Sequence, residues 1–444
     1  MNAGHGAQLL WTERAWVGGR WREAVLLEVG ADGHWLAVRP ETAAPLSAMR
    51  LPGPVLPGLV NAHSHAFQRA FAGLAERREA EHDDFWSWRD RMYGVALTIT
   101  AAELREVATR LYRELLAGGY THVCEFHYLH HAEDGHRHAE PAAMSLALIE
   151  AAGATGIGLT LLPVLYERAG FAAPQLRADQ RRFASDVDFV LALRDTARAT
   201  GAAAGGAPGR VRAGVALHSL RAASPASMRA LLNRLAGDAG PIHIHVAEQT
   251  GEVADCLAAT GARPIEWLAR EMPLDARWQL VHATHAEPYE IEAVAATGAG
   301  IVICPTTEAN LGDGVPDLPR WLAAGVPLSI GSDSQVCRNA AEELRWLDYA
   351  QRLVHQRRNV SADPARYGGS TAARLFEAIA AGGAAAAGFM RWGLQPGAPA
   401  DALVLDPEVP GLAGMPASHR LDGWVFASDA AAIAQTWVAG RRVR

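Results

Sequence analysis

Eight short β-prone runs recur along this chain with longer amphipathic stretches between them, and that alternation narrows its architecture more than any other feature. The runs cover residues 55–60, 121–128, 158–166, 211–217, 241–246, 278–282, 300–304 and 328–333. Between them, segments such as 101–117, 144–152, 185–197, 227–235 and 288–296 repeat apolar residues every three or four positions, the spacing of a helix with one buried face. Strand and helix in alternation predict parallel strands joined by crossover helices. Eight such units point to an α/β fold, a distorted (β/α)8 TIM barrel. The competing doubly wound sheet has fewer strands and a glycine-rich phosphate fingerprint, which this sequence lacks.

The two ends read differently. Residues 1–54 hold short strand-like pieces at 15–17 and 35–38, broken by Gly and Pro, and the chain returns to short strands and turns after Met390. We expect residues 1–54 and 386–444 to meet as one small β-sandwich beside a barrel spanning 55–385.

Composition removes several functions. With 41 basic and 48 acidic residues the net charge is −7, which argues against nucleic acid or an anionic membrane as partner. Four scattered cysteines without a CxxC pair, and no charged segment leading into an apolar core at the start, fit a reducing cytoplasmic setting. All the basic residues are arginine, so Schiff-base chemistry, a pyridoxal phosphate anchor and a Walker-type lysine are excluded.

In a barrel, reactive groups belong at the C-terminal strand ends. Asn61-Ala62-His63-Ser64-His65 follows the first run, and residues two apart on a strand share a face about 7 Å apart, so His63 and His65 can grip one cation. His218 ends the fourth run, His245 and Glu248 the fifth, His282 the sixth and Asp333 the eighth. Core histidines would fall at arbitrary heights, so this coincidence predicts a metal site. His63, His65, His245 and Asp333 offer three imidazoles and one carboxylate, a donor set suited to one zinc ion, with iron or manganese as alternatives. Such an ion lowers the pKa of a bound water to about 7. Glu248 and His282 are placed to move protons beside it. His243 alternates onto the same face and is read as a buried neighbour, while Asp333 could instead cap a helix. His136-Arg137-His138 also spells HxH, but its polar surroundings mark a solvated loop.

The segments 60–65, 243–248 and 331–334 resemble the amidohydrolase superfamily, metal-dependent hydrolases built on a distorted barrel beside a β-sandwich. Residues 394–405 resemble its sandwich strand, so the likeness spans nearly the whole chain. Binuclear members bridge two metals through a carboxylated lysine, which this sequence cannot supply. The resemblance therefore implies the mononuclear deaminase branch, in which Glu248 and His282 shuttle protons during attack on a C=N carbon and Asp333 shares in proton transfer.

Longer motifs, at 218–222, 245–249, 304–314 and 331–335, resemble the branch that hydrolyses the formimino group of N-formimino-L-glutamate to formyl with release of ammonia, in histidine degradation. This implies a small dicarboxylate substrate and a homodimer. It selects Arg89 and Arg221 as carboxylate forks, with Gln68, Tyr128 and His218 as further substrate contacts. His130 and His131 stay unassigned. Two other functions compete: deamination of a cyclic amidine such as guanine or an adenosine derivative, which needs no arginine pair, and a catalytically silent scaffold, against which the intact proton-shuttling groups argue.

Overall fold

The computed structural model describes residues 7–78, 83–203 and 210–444. Eight parallel strands follow one another in chain order: Leu59–Ser64, Tyr120–His127, Gly158–Leu165, Val215–Ser219, Ile242–Val246, Trp278–His282, Gly300–Ile303 and Leu328–Ile330. We number them one to eight. Most are buried at every position, as strands covered by helices outside and side chains inside must be.

Strands eight and one meet through a single parallel bridge between Ser64 and Asp333. There the Asp333 N–H donates to the His63 carbonyl at 3.0 Å, and the Asn61 side chain bonds both the backbone N–H and the hydroxyl of Ser332. Gly331 makes this seam feasible, because a Cβ there would stand 2.6 Å from the Cβ of His63. The long helix Thr371–Ala386 lies against strands one and eight, and its adjacent Gly382 and Gly383 let its backbone approach Leu328 and Val60.

Both chain ends build the separate small β-domain. Its strands run, by hydrogen-bonded neighbour, Arg441–Arg442, Ile433–Val438, Ala402–Leu405, Val55–Pro57, Gln8–Trp16, Trp21–Val29 and Trp35–Arg39. It has its own apolar core around Leu10, Val25, Leu27, Trp35 and Val404.

Two predicted runs are divided. The 55–60 run crosses between domains: Val55–Pro57 pairs in the small sheet, and Leu59 opens strand one. Gly58 marks the switch, since any Cβ there would collide with Thr121. The 211–217 run breaks at Gly214, leaving Val211–Ala213 paired to strand three and Val215–Ser219 as strand four. The C-terminal part also contains a helix, Arg420–Ala427, which packs on helices Ala340–His355 and Thr371–Ala386 of the barrel. Among the described residues no helix is long and apolar enough to cross a membrane.

Candidate active site

The predicted reactive residues converge at the C-terminal mouth of the barrel. Nε2 of His63 lies 3.1 Å from Nε2 of His65 and 3.0 Å from Nε2 of His245. Asp333 Oδ1 stands 3.3 Å from the first and 3.2 Å from the second. All four donor atoms fall within 4.8 Å of one another, and all four residues are buried.

The hydrogen bonds at the far side of two of these rings set which nitrogen faces the centre. His65 Nδ1 bonds the Phe126 carbonyl at 2.9 Å and His245 Nδ1 bonds the His218 carbonyl at 3.0 Å. A carbonyl only accepts, so each Nδ1 carries the proton and each Nε2 presents a lone pair to the centre. Burial holds His63 near 3, outweighing the attraction of Asp333, and holds His245 well below the ordinary imidazole range. Burial alone would raise Asp333, yet the neighbouring His63 and His65 rings hold it well below the usual carboxylate range. Neutral nitrogens and one carboxylate with lone pairs converging on one point fit a divalent cation.

Non-glycine residues in the left-handed backbone region mark these strand ends: Ala247 at φ 52°, His282 at φ 69° and Asp333 at φ 44°. Each costs about 1–2 kcal/mol, and such strain gathers where side chains must be aimed at a site. Here it turns the chain sharply after strands five, six and eight.

Beside the ligand group, His282 Nε2 is 3.6 Å from Glu248 Oε1 and 3.8 Å from Asp333 Oδ2. Burial would lower His282, but Glu248, Glu308 and Asp333 together lift it to about 10. Burial raises Glu248 above the usual carboxyl range, against the pull of His282 and Arg221. Glu308 holds His282 from behind, its Oε1 3.3 Å from Nδ1 while also accepting the Cys304 N–H.

One cavity reaches His65, His245, Asp333, Glu248 and His282 together with Gln68, Arg89, Tyr128, His218 and Arg221. Gln68 Nε2 donates to the Tyr128 hydroxyl at 3.3 Å. Arg89 lies over the Trp86 ring at 4.6 Å, with its Nε buried and without a hydrogen-bond partner. Arg221 is less free than the sequence suggests, because Glu252, fully buried at its side chain, stands 3.3 Å from its Nη1.

The remaining histidines go elsewhere. His243 bonds the Ala386 carbonyl, His130 the Val164 carbonyl and His131 the Ala184 carbonyl, while His136 is exposed beside Asp134. Sequence reasoning missed Glu308, Glu252 and the aromatic wall of Phe85, Trp88, Tyr93 and Tyr166. Glu308 lay inside a quoted motif, but nothing local tied it to His282.

Fold and site together define a barrel hydrolase equipped to hold a divalent ion at its C-terminal mouth. Residues 55–443 match the model of the amidohydrolase family, and the chain belongs to that family. It is 45% identical over 436 residues to a formimidoylglutamate deiminase of Pseudomonas aeruginosa, covering 98% of this chain and 94% of that one. A 5-methylthioadenosine/S-adenosylhomocysteine deaminase of Natronomonas pharaonis is 30% identical over 88% of this chain and 82% of its own length. The crystal structure of an amidohydrolase from Brucella melitensis superposes with a TM-score of 0.91 at 42% identity, covering 98% of this chain and 94% of that one.

Proposed function

We propose that this chain is a formimidoylglutamate deiminase, hydrolysing N-formimino-L-glutamate to N-formyl-L-glutamate and ammonia with one divalent ion, zinc, bound by His63, His65, His245 and Asp333. The observation that carries this reading is that Arg89 and Arg221 line the same cavity as His65, His245 and Asp333. The substrate has two carboxylates at one end and an amidine at the other, and planar guanidinium forks match carboxylates bidentately. Identity of 45% along nearly the whole of both chains supports the assignment.

When bound, the ion supplies a Lewis acid that makes hydroxide available at neutral pH. The chain's own groups do the rest. Asp333 accepts the proton of the attacking water. Glu248 delivers a proton to the formimino nitrogen as water adds across the C=N bond. His282 donates from Nε2 toward the oxygen on the now tetrahedral carbon, held in that orientation by Glu308. Asp333 then passes the water proton to that nitrogen, the C–N bond breaks to release ammonia, and the now ionised Glu248 takes the hydroxyl proton as the C=O bond forms. Arg89 and Arg221 take the carboxylates, and Gln68, Tyr128 and His218 line the path between.

The reading places the enzyme in the cytoplasm as a homodimer. Four buried cysteines, all free, support a reducing compartment, and sedimentation reads the dimer directly. A cyclic-amidine deaminase is the second reading, favoured by the Natronomonas relative. The test is to compare N-formimino-L-glutamate with N-methylformamidine, which keeps the amidine and lacks both carboxylates. We expect kcat/KM to fall by about a thousandfold or more, two charge-assisted contacts being lost. Comparable rates would defeat the arginine-based reading.

A further inference from the structure

On the opposite side of the barrel, a second cavity of about 340 Å³ opens between the N-terminal strand ends and the small β-domain. It is reached by His122 near the start of strand two, Gly158 at the start of strand three, and Asp401 and Ala439 of the small domain. Three arginines line it: Arg210, Arg212 and Arg391.

The hydrogen-bond partners of these guanidinium groups are all neutral carbonyls, and Asp401 attracts Arg210 from a distance. Arg212 donates to the Gly388 carbonyl and lies over the Phe389 ring at 4.5 Å, Arg210 donates to the Ile157 carbonyl, and Arg391 to the Pro396 carbonyl. Among the described residues, none of the three makes an ion pair. One carboxylate lines the cavity, Asp401, and its Oδ1 already accepts the Ala439 N–H at 2.8 Å.

Gly397 gives the Arg391 guanidinium room. A Cβ on Gly397 would lie 2.8 Å from Arg391 Nη1, too close for both to keep their places. Burial lowers Arg210 and Arg212 from the ordinary guanidinium range, with Arg441 and Arg198 adding repulsion. The same two arginines help burial keep His122 neutral, near 3. Gathering desolvated cations around one carboxylate is unfavourable unless an anion joins them.

We propose that this cavity binds a small oxyanion carrying at least two negative charges, of the phosphate class, held by Arg210, Arg212 and Arg391. It lies at the end of the barrel away from the candidate active site, and the proposal does not depend on the identity of the substrate.

The test is calorimetric titration of the metal-loaded full-length protein with inorganic phosphate at constant ionic strength, with chloride as control. We expect saturable binding and a rise in Tm beyond that in chloride, since a ligand of the native state stabilises it by mass action. Arg391→Ala and Arg210→Gln should each weaken phosphate by about tenfold or more, the worth of one charge-assisted contact, with kcat/KM unchanged. Arg391 is exposed, so its variant tests the site even if Arg210→Gln fails to fold. Absence of saturable binding would overturn the proposal. So would binding that survives both variants, or binding abolished by Arg89→Ala, which would put the ion in the other cavity.

Discussion

Nε2 of His63 and Nε2 of His245 stand 3.0 Å apart at the barrel mouth, and the His245 proton is committed elsewhere, to the His218 carbonyl. Burial keeps both rings neutral. A divalent ion between them would take one lone pair from each nitrogen. Metal analysis of purified protein should therefore give about one divalent ion per chain, and His245→Ala should bring it close to zero along with activity. Full metal content in that variant would remove His245 from the ligand set.

Glu248→Gln separates binding from proton transfer. The amide is isosteric and Glu248 is not among the grouped donors. Metal content should stay near one per chain while kcat falls by about 10²–10⁴-fold, the usual worth of a positioned acid or base. Near-parental turnover would show that the proton for ammonia comes from another group.

The two arginines should differ in stability and agree in kinetics. Arg221→Ala leaves Glu252 buried without its cation, a loss of about 3–5 kcal/mol. Among the described residues Arg89 makes one ion pair, with exposed Asp90 at 3.4 Å, and it lies over the Trp86 and Tyr93 rings, so Arg89→Ala should cost about 1–2 kcal/mol, less than Arg221→Ala. Both should lower kcat/KM for formiminoglutamate by about tenfold or more. Equal Tm losses would contradict the Arg221–Glu252 pairing, and unaltered kinetics in both would contradict carboxylate recognition.

Asp401 gives a pH signature away from the catalytic groups. Burial raises its carboxyl to about 6, above the value of about 3.9 in an unfolded chain, despite the Ala439 N–H. A raised carboxyl favours the native state while protonated. That contribution is complete below about pH 4 and is lost as pH rises through about 6. Asp401→Asn keeps an acceptor without the charge, so it should gain on the parent by about 1–2 kcal/mol between pH 5 and pH 8 in phosphate-free urea unfolding. A difference independent of pH would contradict the assignment.

The fold was readable because strands covered on both faces leave dense apolar runs, and eight of these occur with helical spacing between them. The positions of His63, His65, His245, His282 and Asp333 at run ends were equally visible, since strand ends are local features. Which sheet a run joins is not local. Gly58 divides the first run only because Thr121, distant in sequence, occupies the space beside it. Nor could the sequence show that Arg221 meets Glu252 or that Glu308 backs His282, contacts that exist only once strands and helices are arranged around the mouth.

Ammonia release from N-formimino-L-glutamate, measured on metal-quantified protein beside 5-methylthioadenosine and guanine, tests the central claim most directly. The account predicts stoichiometric ammonia and N-formyl-L-glutamate from the first compound, with kcat/KM far above either cyclic amidine. No release from formiminoglutamate, with turnover of a cyclic amidine by the same metal-loaded sample, would contradict it.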